Sequence, residues 1–485
     1  MNVSAEKRGG RATRYSQVHP TKMAAGDLRI AFASITPIEK GFFLTTVDPS
    51  NWKKEVVALF SGKTLTKTAL SLLKKEKQRA GHHATGVLRN NGPFRLMLQR
   101  VFMGYSFSRI RFLKSPEFDY WEEYLKEISF YENGLDKEVE GWSYRLIDSA
   151  EALQECVASQ KELAMILTIE GAHTFSVKGD DSIEKESIIL SRIADLKAQT
   201  WPVFFITFSH HFYNGLCGHA KSIMDSGCLI MNQEEGLGEG FTTLGWRALR
   251  ELLSIDDKNR DLDGARILID CKHMSPLGRK QFYENIVTPY NRRRSKKREK
   301  IPVIISHAAY NTFSTLEELI NNIDQEDDDF CREGFLAWGI NYCDEDIRIV
   351  VQSEGLIGLC FDRRICGVRA SDRLTTSFVK NALIKQIIAT VEVAWTDESL
   401  SKKEKTRIWN CISIGTDFDG LIDPLPRYSS ATSLSLFAED LKEALELASE
   451  KYGILEIGVE EIVEKISWRN AYDFGLKHLK GNQKL

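Results

Sequence analysis

The sequence predicts an α/β chain folded as a (β/α)8 barrel that is incomplete at its first strand. Three observations carry this. Seven short apolar runs recur along the chain, each cut off abruptly by polar residues. Helical patterns lie between them. The polar residues that end the runs are mostly histidines and carboxylates.

The runs are "GDLRIAFASITP" (26–37), "AMILTIEGAH" (164–173), "PVFFITFSHH" (202–211), "ARILIDCKHMS" (265–275), "IPVIISHAAYN" (301–311), "GLIGLCFD" (355–362) and "CISIGTDFDG" (411–420). Stretches apolar at consecutive positions, and not at alternate ones, suit strands buried on both faces of a parallel sheet. Between them, "TTLGWRALRELLSI" places Leu244, Ala248, Leu249, Leu252 and Leu253 on one helical face. "STLEELINNI" opens with a capping box, Ser314 and Glu317, ahead of Leu316, Leu319, Ile320 and Ile323. Alternating strand and helix implies βα units with right-handed crossovers. After Gly420 a Pro- and Ser-containing loop leads into two amphipathic helices, "LFAEDLKEALELASEKYG" and "VEEIVEKISWRNAYDFGLKHL".

Residues 42–160 break this plan. They hold helical patterns such as "NWKKEVVALF" and "YWEEYLKEISFY" and read as an inserted helical layer. The expected organisation is a poorly ordered segment over 1–25 and one barrel domain over 26–485. The basic run "NRRRSKKREK" (291–300) has no interleaved aromatic residue to stack on a base, so it reads as a solvated loop. The acidic run "DQEDDD" (324–329) reads the same way.

Composition excludes several classes. The 485 residues are 42% hydrophobic and 27% charged, with net charge −3, an ordinary globular balance without a field for nucleic acid. No apolar run approaches the ~20 residues of a membrane span. The polar, basic start does not read as a secretory signal. The nine cysteines form no CxxC pair, and Cys271, Cys360 and Cys411 sit in or beside apolar runs. They read as reduced, buried thiols of a cytoplasmic protein. A homo-oligomer is compatible with this composition.

The chemistry lies in the run ends. Glu170 ends one, His210 and His211 the next, then His273, His307 and Asp417. In a barrel the C-terminal ends of the strands converge on one mouth, so residues scattered from 170 to 417 meet. Alone, each has a bland reading: a lone histidine after a strand is more often a hydrogen-bonded structural residue than a ligand. Together they are harder to dismiss, since the chain has only ten histidines and three of these five positions hold one. Imidazoles with carboxylates form an N/O set that suits Zn²⁺.

The stretches "LTIEGAH", "ITFSHHFYN", "GFTTLGWRALRELL" with "ILIDCKHMS", "PVIISHAAY", "NYCDEDIRIVVQSEGLIGL" and "ISIGTDFDG" follow one another in an order that resembles the membrane (renal) dipeptidase family of zinc peptidases, in a divergent branch. The resemblance runs from about residue 26 to about residue 475, where "WRNAYDF" resembles the family's closing Asn motif. It implies a barrel of the metal-dependent hydrolase type. It implies that Glu170 bridges two zinc ions, that His273 and His307 complete the second zinc site, and that His210 contacts the substrate carbonyl. Asp417 corresponds to the aspartate beside the first zinc that handles the proton of the attacking water.

Two departures qualify the resemblance. The family opens with a strand ending in His-x-Asp or His-x-His, which completes the first zinc site. Residues 1–25 offer only "RYSQVHP", where Gln17 and His19 keep the spacing without a strand's apolar residues. Either the first site is lost or the chain is shortened at its start. The family also clamps the peptide carboxylate with an arginine after the "SH" strand, and "AAYNTFSTLEEL" contains none. The implied function is a zinc-dependent dipeptidase-like hydrolase of a small peptide or amide, with one tightly bound zinc and a second weak or absent. The alternative is a non-catalytic barrel that binds a ligand or partner with one zinc or none.

Overall fold

All seven apolar runs form strands of a single parallel sheet. The computed structural model describes residues 16–43, 105–135, 137–159, 161–176, 182–223, 231, 233–293, 298–323, 326, 331–369, 372, 374–452 and 457–480. In chain order its strands are β1 (Ile30–Ile35), β2 (Ser143–Leu146), β3 (Glu162–Glu170), β4 (Phe205–Thr207), β5 (Leu268–Asp270), β6 (Ile304–Ala308), β7 (Cys331–Arg332), β8 (Phe335–Leu336), β9 (Leu356–Leu359) and β10 (Ile412–Ile414). The sheet runs β1-β3-β4-β5-β6-β9-β10, every pair parallel. Those seven strands are the seven runs, laid side by side in chain order, as βα units produce. The short strand β2 pairs with the first half of β3, Ser143 opposite Glu162. The strands β7 and β8 form a separate antiparallel hairpin.

Burial explains the uniform apolar runs. The interior of β3, Leu163 to Ile169, is buried at every position. At the centre of the sheet two glycines allow the backbones to approach closely. A Cβ at Gly358 or Gly415 would lie 1.9 Å from the carbonyl oxygen of Ser306, so no side chain fits at either position.

The ends of the sheet, β1 and β10, pair with no common neighbour among the described residues, so the barrel is open on that side. This is where the eighth run is missing from the sequence. Residues 16–18 lie against the loop after β10: Gln17 N donates to Asp419 Oδ1 (2.6 Å) and Asp419 N donates to Gln17 Oε1 (2.8 Å). The short helix Pro20–Ala25 follows.

Helices cover the outside. The helix Thr243–Leu253 is capped by Thr242, whose hydroxyl accepts from Gly245 N, and it buries Ala248, Leu249, Leu252 and Leu253. Each large apolar side chain buried this way contributes about 1.5–3 kcal/mol. Leu249→Ala would cost about 2–5 kcal/mol through the cavity it leaves. The capping box expected at Ser314 and Glu317 is displaced by one residue. Thr315 is the N-cap and accepts from Glu318 N (3.2 Å), while Glu318 accepts from Ser314 N (3.0 Å). The helix begins at Leu316 because Leu316 N is held by Glu345 Oε2 at 2.9 Å.

In the inserted region, the described part forms helices Phe107–Lys114, Tyr120–Glu132 and Ala150–Ala158, and "YWEEYLKEISFY" is the second of these. "NWKKEVVALF", residues 294–297 of the basic run and nearly all of the acidic run lie outside the described residues. At the far end Asn470, in the closing Asn motif, donates to the carbonyls of Trp409 (2.8 Å) and Ile412 (2.7 Å), tying the last helix to β10. The described cysteines are all free, and most are buried. No helix among the described residues is long and apolar enough to cross a membrane.

Candidate metal centre

The strand ends deliver the site residues to one place. Glu170 is the last residue of β3, and Gly171 follows with φ +105°, a conformation that favours glycine. His210 and His211 follow β4, and His273 lies three residues beyond β5. His307 is the penultimate residue of β6, and Asp417 follows β10. His273 (φ +63°) and Asp417 (φ +57°) sit in the left-handed region, a strain of about 1–3 kcal/mol each that clusters at functional sites.

The side chains meet around Glu170. Its Oε1 lies 3.6 Å from His210 Nε2, 3.7 Å from His273 Nε2 and 3.5 Å from His307 Nε2. Asp417 Oδ2 lies 3.8 Å from His307 Nε2. Donors bound to one zinc at ~2 Å lie ~3.3 Å apart in a tetrahedron. Glu170, His273 and His307 therefore have nearly the spacing of a cation's donor set, and one ligand atom from each lies within 4.8 Å of the others.

The surrounding hydrogen bonds fit this reading. The Ser306 hydroxyl donates to Asp270 Oδ2 (2.6 Å), so its oxygen accepts from His307 Nδ1 (2.9 Å). That leaves His307 Nε2 as a free lone pair facing Glu170 and Asp417, the tautomer a metal ligand needs. Asp270 is itself held by Thr207 Oγ1 (2.6 Å) and by the backbone N–H of Ser306 (2.9 Å) and Lys272 (3.0 Å). Thr36 Oγ1 donates to Glu170 Oε2 at 3.2 Å. Burial pushes His273 and His307 well below the usual imidazole range, with His210 and Lys272 respectively adding to the effect. Both rings are thus neutral donors. Burial, with Glu170 beside it, pushes the Asp417 carboxyl well up.

Sequence reasoning missed a supporting carboxylate. Glu39 is buried behind His210: its Oε1 lies 2.6 Å from His210 Nδ1. It also accepts from the backbone N–H of His211 and Phe212, each at 3.1 Å. Burial acts to raise its pKa, but the imidazoles of His210 and His173 prevail and hold it at about 2. The signal was present, since Glu39 follows the β1 run, but it lies four residues past the strand. Lys272 and Asp270 were missed as well, masked by the more conspicuous His273. Gln17 and His19 do not join the group: Gln17 pairs with Asp419, and His19 Nδ1 lies 2.6 Å from Thr21 Oγ1.

No family model matches the chain, and no curated protein matches it in sequence. Among solved structures, the dipeptidase AC, a metallopeptidase, superposes with a TM-score of 0.50 at 11% identity, over 99% of this chain and 94% of that one. The chain has the fold of that dipeptidase. The resemblance read from the motifs therefore holds at the level of fold, with the barrel incomplete at its first strand. A probable dipeptidase, PvdM, from Pseudomonas aeruginosa gives a TM-score of 0.42 at 13% identity, over 96% of this chain and 89% of that one. A metallopeptidase from Rhodobacter sphaeroides, liganded with a phosphinate mimic of L-Ala-D-Ala, gives 0.42 at 14% identity over 75% and 74%.

Proposed function

We propose that the chain is a metal-dependent hydrolase of dipeptidase type, acting on a dipeptide or a related small amide. The observation that carries this is the convergence of Glu170 with the Nε2 atoms of His210, His273 and His307 at 3.5–3.7 Å, with Asp417 beside them. Glu170, His273 and His307 would hold the cation, and the N/O donor set favours zinc. When bound, such an ion supplies Lewis acidity and lowers the pKa of water. Asp417, facing the same point, takes the proton of the attacking water and returns it to the leaving amine. His210, braced by Glu39 on Nδ1, presents Nε2 to the scissile carbonyl and stabilises the charge that develops there.

The open edge between β1 and β10 bears on stoichiometry. Among the described residues the His-x-Asp pair that the resemblance implies has no counterpart, so Glu170 and Asp417 are the family-matched donors left to that first site, and two carboxylates by themselves hold zinc weakly. We therefore assign one tightly held zinc per chain, with a second weak or absent. The free cysteines fit a reducing compartment, taken here as the cytoplasm.

The same open edge favours a second reading, a non-catalytic barrel that binds a ligand through this mouth. Hydrolysis decides between them. Chelated protein is assayed against a panel of free dipeptides and N-acylated amides, before and after zinc is restored. Turnover that returns with zinc supports the hydrolase, and zinc binding without turnover of any substrate supports the second reading.

A further inference from the structure

His211 follows His210 after β4 and takes no part in the chemistry derived for the mouth. Its ring lies 4.1 Å from that of His210 and 4.9 Å from that of His273, centroid to centroid, and the rings of His210 and His273 lie 4.7 Å apart. One ring nitrogen from each of the three lies within 4.8 Å of the other two. Two of the rings are anchored at Nδ1. His210 Nδ1 lies 2.6 Å from Glu39 Oε1, and His211 Nδ1 lies 2.7 Å from Ser222 Oγ. Each anchor leaves Nε2 to coordinate. Ser222 is itself held by Gln233 Nε2, which donates to its hydroxyl oxygen at 2.8 Å. Phe42 packs edge-on against His211, with ring centroids 5.3 Å apart. His273 Nδ1 is buried and has no hydrogen-bond partner among the described residues. A buried polar atom left this way is costly unless something meets it.

We propose that His210, His211 and His273 form a second cation site, made of imidazoles alone, that takes an ion such as Cu²⁺, Ni²⁺ or excess Zn²⁺ and inhibits the mouth when filled. Ion binding here stands by itself, whereas the inhibition rests on the reading of the mouth as a hydrolase. An all-nitrogen set differs from the Glu170 group, and it favours these ions over Mg²⁺ or Ca²⁺, which prefer oxygen. His273 is shared with Glu170 and His307, and a neutral imidazole has one lone pair, so the ring serves their ion first. The second ion therefore leans on His210 and His211 and is the weaker of the two, the one that dialysis removes. Once it occupies His210 Nε2, that nitrogen no longer reaches the scissile carbonyl.

The test titrates the full chain, dialysed with its zinc, with Cu²⁺. Elemental analysis counts both metals, and electron paramagnetic resonance reads the coordinated nitrogens from their hyperfine splitting. Wild type is expected to keep its zinc, to take up one copper on imidazole nitrogens, and to lose hydrolysis in step with copper uptake. His211→Ala is expected to bind that copper about tenfold or more weakly, with its zinc kept. If that variant does not fold by circular dichroism, His211→Gln takes its place. Asp417→Asn, which alters only the carboxylates of the mouth, should leave copper affinity unchanged. Copper that binds a folded His211 variant as well as wild type, or that is lost in Asp417→Asn, overturns the proposal and leaves the metal-centre reading standing. So does copper that displaces the zinc one for one. A chain that holds no zinc yet binds copper through His211 sustains this site and overturns the metal-centre reading. Copper held through His211 that does not slow hydrolysis overturns the inhibition.

Discussion

Glu39 Oε1 lies 2.6 Å from His210 Nδ1, while the other nitrogen of that ring faces Glu170 at 3.6 Å. A buried carboxylate on one nitrogen fixes the orientation of the imidazole and the proton it carries. Glu39→Gln keeps the shape and removes the charge. It should lower kcat by about 10- to 100-fold, as losing an outer-shell partner does, with metal content unchanged. Steady-state kinetics and metal analysis on the same preparation check this. Loss of the metal would place Glu39 among the ligands instead.

A buried network away from the mouth should dominate stability. Asp346 is fully buried, accepts from Tyr283 OH (2.8 Å) and Cys343 N (2.9 Å), and lies 3.5 Å from Arg279 Nε. Asp346→Ala strands the equally buried Arg279 without its counter-charge. The expected loss is about 3–5 kcal/mol, read as a lower urea midpoint. A change below about 1 kcal/mol would mean that water or rearrangement satisfies Arg279.

Much of this was legible in the sequence, and the reasons are physical. Strands buried on both faces write themselves as continuous apolar runs, so all seven barrel strands were found. The strand β2, "SYRL", was not, because only its Leu146 is buried and its Arg145 pairs with Glu155 and Glu162. Glu170, His273, His307 and Asp417 stood out because a metal-ligating residue at the end of an apolar run is conspicuous. Glu39 did not, because it follows Pro37 in a loop, and its role depends on the backbone of His211 and Phe212. Lys272 reads as a surface residue in any sequence, and only its burial reveals otherwise.

The stability of the sheet's outer layer should depend on acid. Glu354 follows the helix Asp344–Ser353 and lies 3.0 Å from Lys300 and 2.5 Å from Lys477. Burial acts to raise its pKa, but the hydrogen bonds from Lys477 and Lys300 outweigh it and hold the carboxyl at about 2. The folded pKa is depressed, so the stabilisation is present above the ordinary value of 4.5 and is lost as pH falls toward 2. Glu354→Gln should therefore be less stable than wild type near neutral pH and equal to it near pH 2. Denaturant melts at both pH values check this. Because the site is partly exposed, the difference should shrink in high salt.

The central claim is that Glu170, His273 and His307 hold one divalent ion between them. The most direct measurement is the zinc content of wild type, His273→Ala and His210→Ala after exhaustive dialysis, each confirmed folded by circular dichroism. The account predicts about one zinc per wild-type chain, close to none in His273→Ala, and an undiminished ion in His210→Ala. Wild-type protein without zinc, or His273→Ala that retains it, would contradict the account.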